Sequence, residues 1–313
     1  MPDGLVMMFG GKGGVGKTTC AAATALHYSR RGRRTLAITT DATPSLSHIF
    51  ETDGRNRVTR VADNLSFSEL GQEVVREMWD NKFGHEVHEV FSSVVSIGYD
   101  DFADFMTSVL PGLADEFMVD YTRELAESGQ FDAIVWDTAP MGQTLALLKT
   151  PGLLAEHLRL APRIYSQLKI GDRSKEPVLS ILRRWARMSA ANMEFLRTKV
   201  NVTLVTIAEA LAVNQLDGIL RELGEGGIQA QQIIINNLVK DESSEFLRTK
   251  AAGQKEYLDA IHRKCPRLNI KELPLSPVEV KGVGRLNEIA EALFPATGGP
   301  QSAISYPDSC KSQ

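Results

Sequence analysis

Apolar runs rich in β-branched residues alternate with helical stretches along most of this chain. That alternation predicts an α/β fold with a doubly wound, mostly parallel sheet. Two further observations agree. Residues 10–19 are rich in glycine and stand between an apolar run and an alanine-rich stretch, in the order strand, loop, helix. The candidate ligand-binding residues also follow apolar runs, as expected where ligands sit at the carboxyl ends of parallel strands.

The elements follow in chain order. Residues 5–9 read as the first strand and 20–30 as the first helix, closed by Gly32. A second strand is expected at 35–40, a loop and short helix at 41–50, and a third strand at 65–70. From 71 to 128 the pattern is helical. Met78, Trp79, Phe83, Val87, Val90, Phe91 and Val94 recur at spacings of three and four, and Phe102, Phe105, Met106, Val109 and Leu110 follow. Residues 131–136 form a buried strand ending in Asp137, and 157–199 are again helical with a break around 171–177. The runs 202–207 and 233–235 read as buried parallel strands with a helix at 211–223 between them. A helix at 246–264, a strand at 268–273 and a helix at 283–294 complete the order. The expectation is one domain over 1–295, with 71–128 and 157–199 as a helical subdomain, and a flexible Gly/Ser/Pro-rich tail at 296–313.

Composition narrows the function classes. With 313 residues and 43% hydrophobic content the chain can bury a large core. A net charge of −4 without a basic stripe argues against nucleic acid as a partner. No run approaches the roughly 20 apolar residues that span a bilayer, and the N-terminus lacks a signal-peptide pattern. A cytoplasmic protein is expected, associated with membranes at most transiently. Cys20, Cys265 and Cys310 lie far apart with no C-x-x-C, so neither a disulfide framework nor a zinc site is predicted.

Gly11, Gly16, Lys17 and Thr18 fit the phosphate-loop pattern G-x-x-x-x-G-K-[ST]. Gly13, Gly14 and Val15 complete the loop and Thr19 follows it. Glycines let the backbone curl close to phosphates, and the next helix turns its N-terminus toward them. The pattern predicts ATP and Mg²⁺, with Lys17 on the β- and γ-phosphates and Thr18 on the metal. Asp137, at the end of an apolar strand, is placed to hold Mg²⁺ through water.

Lys12 is not required by this pattern. The run G-K-G-G-V-G-K-T resembles the deviant Walker A loop of the MinD/ParA, nitrogenase iron protein and arsenical-pump ATPase class of P-loop NTPases. That resemblance implies a homodimer in which Lys12 reaches the nucleotide of the other subunit, acting as an arginine finger does. Residues 137–144, D-T-A-P-M-G-Q-T, resemble the D-T-A-P-T-G-H-T stretch of arsenical-pump ATPases and of the related ATPases that target tail-anchored membrane proteins. Asp137, Thr138, Ala139, Pro140 and Gly142 then correspond to switch II. Further resemblance places Asn236 at the adenine, Pro274 at the head of an adenine loop over 274–282, and Glu209 near the nucleotide at the dimer interface. Taken alone, Asn236 fits a turn cap and Glu209 a helix cap equally well.

Two departures stand out. The family's switch I reads D-P-A-H-N-L-S-D-A-F and its last aspartate positions the attacking water; residues 41–50 carry His48 there. Histidine orients water as a base only when neutral, and a positioned base contributes about 10²–10⁴-fold. His48 is a substitute base, or Asp41 takes the role, or hydrolysis is slow. The other departure is the tail-anchor branch's zinc-binding C-x-x-C, which has no counterpart before 255–258. The resemblance implies an ATP-driven chaperone with a hydrophobic client helix and a membrane-protein receptor. Two other readings are the ATPase of an arsenite or anion efflux pump, and a MinD/ParA-like scaffold with little hydrolysis.

Overall fold

The computed structural model describes residues 5–40, 45–54, 58–92, 98–109, 113–138, 159, 175–241 and 243–295. Among these, eight strands form one sheet: β1 (Leu5–Gly11), β2 (Thr35–Thr39), β3 (Thr59–Ala62), β4 (Leu65–Glu69), β5 (Ala133–Asp137), β6 (Val200–Ile207), β7 (Ala230–Leu238) and β8 (Asn269–Pro274). Their order is β3-β4-β2-β5-β1-β6-β7-β8. All pairs are parallel except β3 with β4. The doubly wound sheet expected from the sequence is therefore the fold. β3 is an addition, since four residues with two of them charged or polar carry little strand signal. At the edge of the sheet it needs only one neighbour.

The central strands are continuous apolar runs because both faces are covered. Val6, Met8, Leu36, Ile38, Ile134 and Trp136 face one core; Met7, Phe9, Ala37 and Val135 face the other. The second core lies under α1 (Lys17–Arg30), α2 (Leu46–Phe50) and α10 (Gly282–Leu293). In α1 the residues Cys20–Leu26 are all buried. Alanine favours the helix and, being small, lets it lie close to the sheet and to α10. Gly32, at φ 79°, ends α1 and donates to the Ser29 carbonyl.

The other core lies under α8 (Ala210–Glu225), α9 (Glu245–Lys264) and a helical layer. That layer comprises α3 (Gln72–Trp79), a π-helical turn (Asp80–Gly84), α4 (His85–Ser92), α5 (Tyr99–Val109), α6 (Leu113–Ser128) and α7 (Lys175–Thr198). The two helical segments read from the sequence pack on each other, α4 and α6 against α7. Trp79, Phe83, Phe117 and Trp185 form one aromatic cluster, with Trp79 and Trp185 centroids 6.2 Å apart.

Met78, Trp79, Phe83, Val87 and Phe102, which recur at helical spacing in 71–128, are buried within the chain itself. Returning a side chain of this size to water costs about 1.5–3 kcal/mol. Helical spacing reports an apolar face but not what covers it. Residues 139–158 and 160–174, and the tail at 296–313, lie outside the described residues, as do Ala139, Pro140, Gly142, Asp41 and Cys310.

Candidate functional site

The loop between β1 and α1 sits at the centre of the sheet, with β5 on one side of β1 and β6 on the other. Glycine is obligatory at two of its positions. Gly11 has φ 152°, and a Cβ there would lie 2.2 Å from the Val205 carbonyl oxygen. Gly16, in the left-handed region at φ 92°, is the N-cap of α1; a Cβ there would lie 2.2 Å from Asn236 Nδ2. At both positions the space a side chain would need is taken by a neighbouring strand, so glycine lets the loop lie close against β6 and β7.

Lys17 is buried, and its Nζ donates to the Lys12 carbonyl at 3.1 Å. The loop thus folds over its own lysine. Gly13, Gly14 and the Lys12 side chain are exposed, and Val15 anchors the loop in the core. Thr18 Oγ1 donates to Asp137 Oδ2 at 2.6 Å. Asp137 comes to this place by register: as the last residue of β5 it pairs with Phe9 of β1 and Thr39 of β2. Thr138 then locks the strand end, with its N and Oγ1 both donating to the Phe9 carbonyl. A buried carboxylate 2.6 Å from a phosphate-loop hydroxyl is a donor set suited to a hard divalent cation with retained water.

Asn236 lies inside β7 rather than in a turn, so the cap reading is set aside. Its Nδ2 donates to the Val15 carbonyl at 2.9 Å, pinning the loop from the neighbouring strand. Glu209 does occupy the N-cap position of α8, but its side chain makes no cap hydrogen bond and is exposed.

A cavity of about 460 Å³ opens beside the loop. Gly14, Gly16, Thr18 and Thr19 form one wall and Asn236 the floor toward β7; residues 273–276, including Pro274, and 278–281 form a second wall, and Ser45, His48 and Ile49 a third. Its size suits a small ligand, and its place beyond the carboxyl ends of β1, β7 and β8 is the expected one. Lys12 and Glu209 do not line it. Asp41, Ala139, Pro140 and Gly142 lie outside the described residues.

Two supporting residues, Glu69 and Gln254, carried no motif, and a third, Glu279, lies in the 274–282 stretch that resembles an adenine loop. Glu69, at the end of β4, accepts from the Ser47 backbone N at 2.9 Å and from its hydroxyl, holding the start of α2. Buried Gln254 on α9 accepts from Val239 N and donates to Asn237 O, where the β7–β8 pairing shifts register and Asn237 takes φ 58°. The amide satisfies backbone groups that the ladder loses there. Glu279 stands opposite His48, its Oε1 3.8 Å from the ring Nε2, and bonds Lys281 at 2.9 Å. For Glu69 the one available signal was an acidic residue at a strand end.

The two described thiols are not gathered. Cys20 lies in the core under α1 and Cys265 in the core on the opposite face of the sheet. Burial pushes the Cys20 thiol up to about 12, with the Asp137 charge adding to it; burial also raises Cys265. Neither offers a thiolate near neutral pH.

A family model for anion-transporting ATPases matches residues 5–295. "ATPase get3" of Neurospora crassa is 26% identical over 317 residues, covering 93% of this chain and 91% of its own. "ATPase GET3B" of Arabidopsis thaliana is 28% identical over 322 residues, 92% of this chain and 78% of its own. A protein of Prosthecochloris vibrioformis, provisionally named as an arsenical pump-driving ATPase, is 29% identical over 314 residues, 92% and 75%. The match runs from the first strand to the last helix and takes in the loop and the aspartate bonded to it, so this chain belongs to the anion-transporting ATPase family.

Proposed function

We propose that the chain binds ATP with Mg²⁺ at this cavity and hydrolyses it as a homodimer. Dimer closure would be coupled to capture of a hydrophobic client, as in a chaperone that targets tail-anchored membrane proteins to a receptor. The observation that carries the nucleotide reading is the hydrogen bond from Thr18, at the start of α1, to Asp137, at the end of β5. Thr18 would hold Mg²⁺ directly and Asp137 through water, and the ion would neutralise charge on the phosphates. Lys17 would hold the β- and γ-phosphates, with Gly11 to Thr19 supplying backbone N–H groups. The names of relatives such as ATPase get3 support the ATPase class.

The homodimer is supported by what the carboxyl edge leaves exposed. Lys12 and Glu209 lie off the cavity wall, and Leu211 and Phe246, just beyond β6 and β7, are 56% and 72% exposed. A partner docked on this edge would cover the apolar pair and bring its Lys12 toward this nucleotide. Turnover would be slow, since His48 stands where the family's switch I carries aspartate. Any client surface on 71–128 and 157–199 is formed by residues other than Met78, Trp79, Phe83 and Val87. No described helix is long and apolar enough to cross a membrane.

The test combines light scattering with turnover. ATP should convert the chain to a dimer while ADP or Lys17→Ala leaves it monomeric, and Lys12→Ala should bind ATP yet hydrolyse it at least about 10²-fold more slowly. A monomeric mass with ATP bound would sink the dimer. In the client arm, the ATP-bound dimer should keep a tail-anchored transmembrane helix in solution. The provisional name of the Prosthecochloris relative favours a pump role as second reading. It predicts arsenite-stimulated ATPase that is lost when Cys20, Cys265 and Cys310 are changed to serine.

A further inference from the structure

We propose that His48 belongs to the binding wall at the nucleoside end of the cavity, tying α2 to the loop after β8, and is not the group that orients the attacking water. The inference rests on reading the cavity as a nucleotide site.

The placement of His48 is fixed from both sides. Leu46, Ile49 and Phe50 of α2 are buried in the core under the sheet, and Phe50 packs on Phe67 at 5.8 Å between ring centroids. Glu69 holds the first turn through Ser47. With three apolar side chains turned inward, His48 is the exposed face of this short helix, its side chain 65% accessible. The ring points across the cavity to Glu279, 3.8 Å away. Lys281 holds the Glu279 carboxylate below the usual range, and His48 adds to that effect. The neighbouring Glu51 carboxylate approaches Gly282, where a Cβ would lie 2.6 Å from its Oε2. α2 therefore meets the 274–282 loop at two points, and Gly282, at φ 70°, permits the second.

An exposed ion pair contributes little by itself. What counts is where it stands. Thr18 and Asp137 mark the phosphate and metal end, fixed by β1 and β5. His48 and Glu279 mark the end formed by the loop after β8, and both line the cavity. A nucleotide spanning the two would meet an imidazole at its sugar and base, where a ring N–H donates to hydroxyls and ring nitrogens. Contacts at that end are the same for ATP and ADP. They are also the same in ground and transition states, so they change affinity and leave turnover alone.

Equilibrium titration with ATP and ADP, beside steady-state ATPase kinetics, separates the two roles. His48→Ala should weaken ATP and ADP equally, by about tenfold, with kcat within about twofold of wild type. Glu279→Ala should do the same, and the double variant should be no weaker than the worse single. His48→Gln, which keeps a donor, should recover most of the affinity. His48→Asp sets a second carboxylate beside Glu279 and should bind more weakly without faster turnover. A kcat loss in His48→Ala larger than its loss of ADP affinity, or a faster His48→Asp, overturns the inference. So does unchanged ADP affinity in His48→Ala while the wild type binds. If the wild-type chain binds neither nucleotide, the site reading itself fails, and this inference with it. The side chain is exposed, so all these variants should keep the wild-type melting temperature, which checks that folding is not the cause.

Discussion

The carboxyl edge of the sheet and the helical layer both bury charge, and they do so to different ends. At the edge, Lys17 and Asp137 are 7% and 1% exposed, and Thr18, which donates to Asp137, lines an open cavity. In the layer, Glu116 and Asp120 on α6 are 1% and 0% exposed and are closed over by their own partners. Asp120 pairs with Lys82 of the π-helical turn and with Arg123 at 2.6 Å. Glu116 accepts from Asn192 at 3.1 Å and from Ser189, both on α7. Burial raises the Glu116 carboxyl to about 7, with the Asp120 charge adding and the Asn192 and Ser189 bonds opposing. A carboxyl poised near neutrality would count as a site candidate by its acidity alone. The difference lies in what stands beside the charge. Glycine-only backbone and an open wall make one region a site, and saturated polar contacts make the other a clamp between helices.

The strongest way to break this contrast is to remove each region's central group. Thr18→Ala should lower ATPase activity by about 10²–10⁴-fold with little change in melting temperature, read by turnover and calorimetry in parallel. Asp120→Ala should do the reverse. Leaving Lys82 and Arg123 without their buried partner should cost about 3–5 kcal/mol in denaturant unfolding, with ATP affinity per folded molecule unchanged. Loss of nucleotide affinity in Asp120→Ala at a temperature where it remains folded would merge the two regions into one functional unit.

A finer test uses pH. The folded Glu116 carboxyl binds its proton more tightly than the ordinary value of 4.5 allows, so the folded state holds more protons than the unfolded one between about 4.5 and 7. Stability should therefore fall as pH rises through that window and level off above it, by at most about 3 kcal/mol from this group. Glu116→Gln should flatten the slope and be the more stable variant at pH 8, in urea unfolding followed across pH. A steeper slope in the variant would refute the assignment. Smaller still, Arg184→Ala removes an exposed pair with Glu86, at 3.1 Å for one of its contacts. It should shift stability by under about 1 kcal/mol.

Legibility followed the same divide. The phosphate loop could be read because each residue answers a local demand: glycine where only glycine fits, Lys17 and Thr18 at fixed spacing. Asp137 was readable because an apolar run of 131–136 ends on it. Glu69 and Gln254 carried no such mark, since each acts on residues distant in sequence, and the 274–282 resemblance that includes Glu279 did not show that it faces His48. The aromatic residues of the layer were visible as a helical face. That Trp79 and Phe83 meet Trp185, about 100 positions later, was not. The break of α3 and α4 by a π-helical turn was also unforeseen; Gly84 sits there against Tyr99 and Trp79, too close for a side chain.

By itself, the sequence determined the alternation of strands and helices, the phosphate loop and the acid that follows a buried strand. Those features rest on backbone conformation and hydrophobic period, which are set within a few residues. The tertiary structure alone decided that Thr18 bonds Asp137, that Asn236 pins the loop it faces, that His48 meets Glu279 across a cavity, and that the apolar helices cover one another. These depend on which strands lie side by side and how far each has twisted. That is a property of the whole sheet, and no short stretch of residues encodes it.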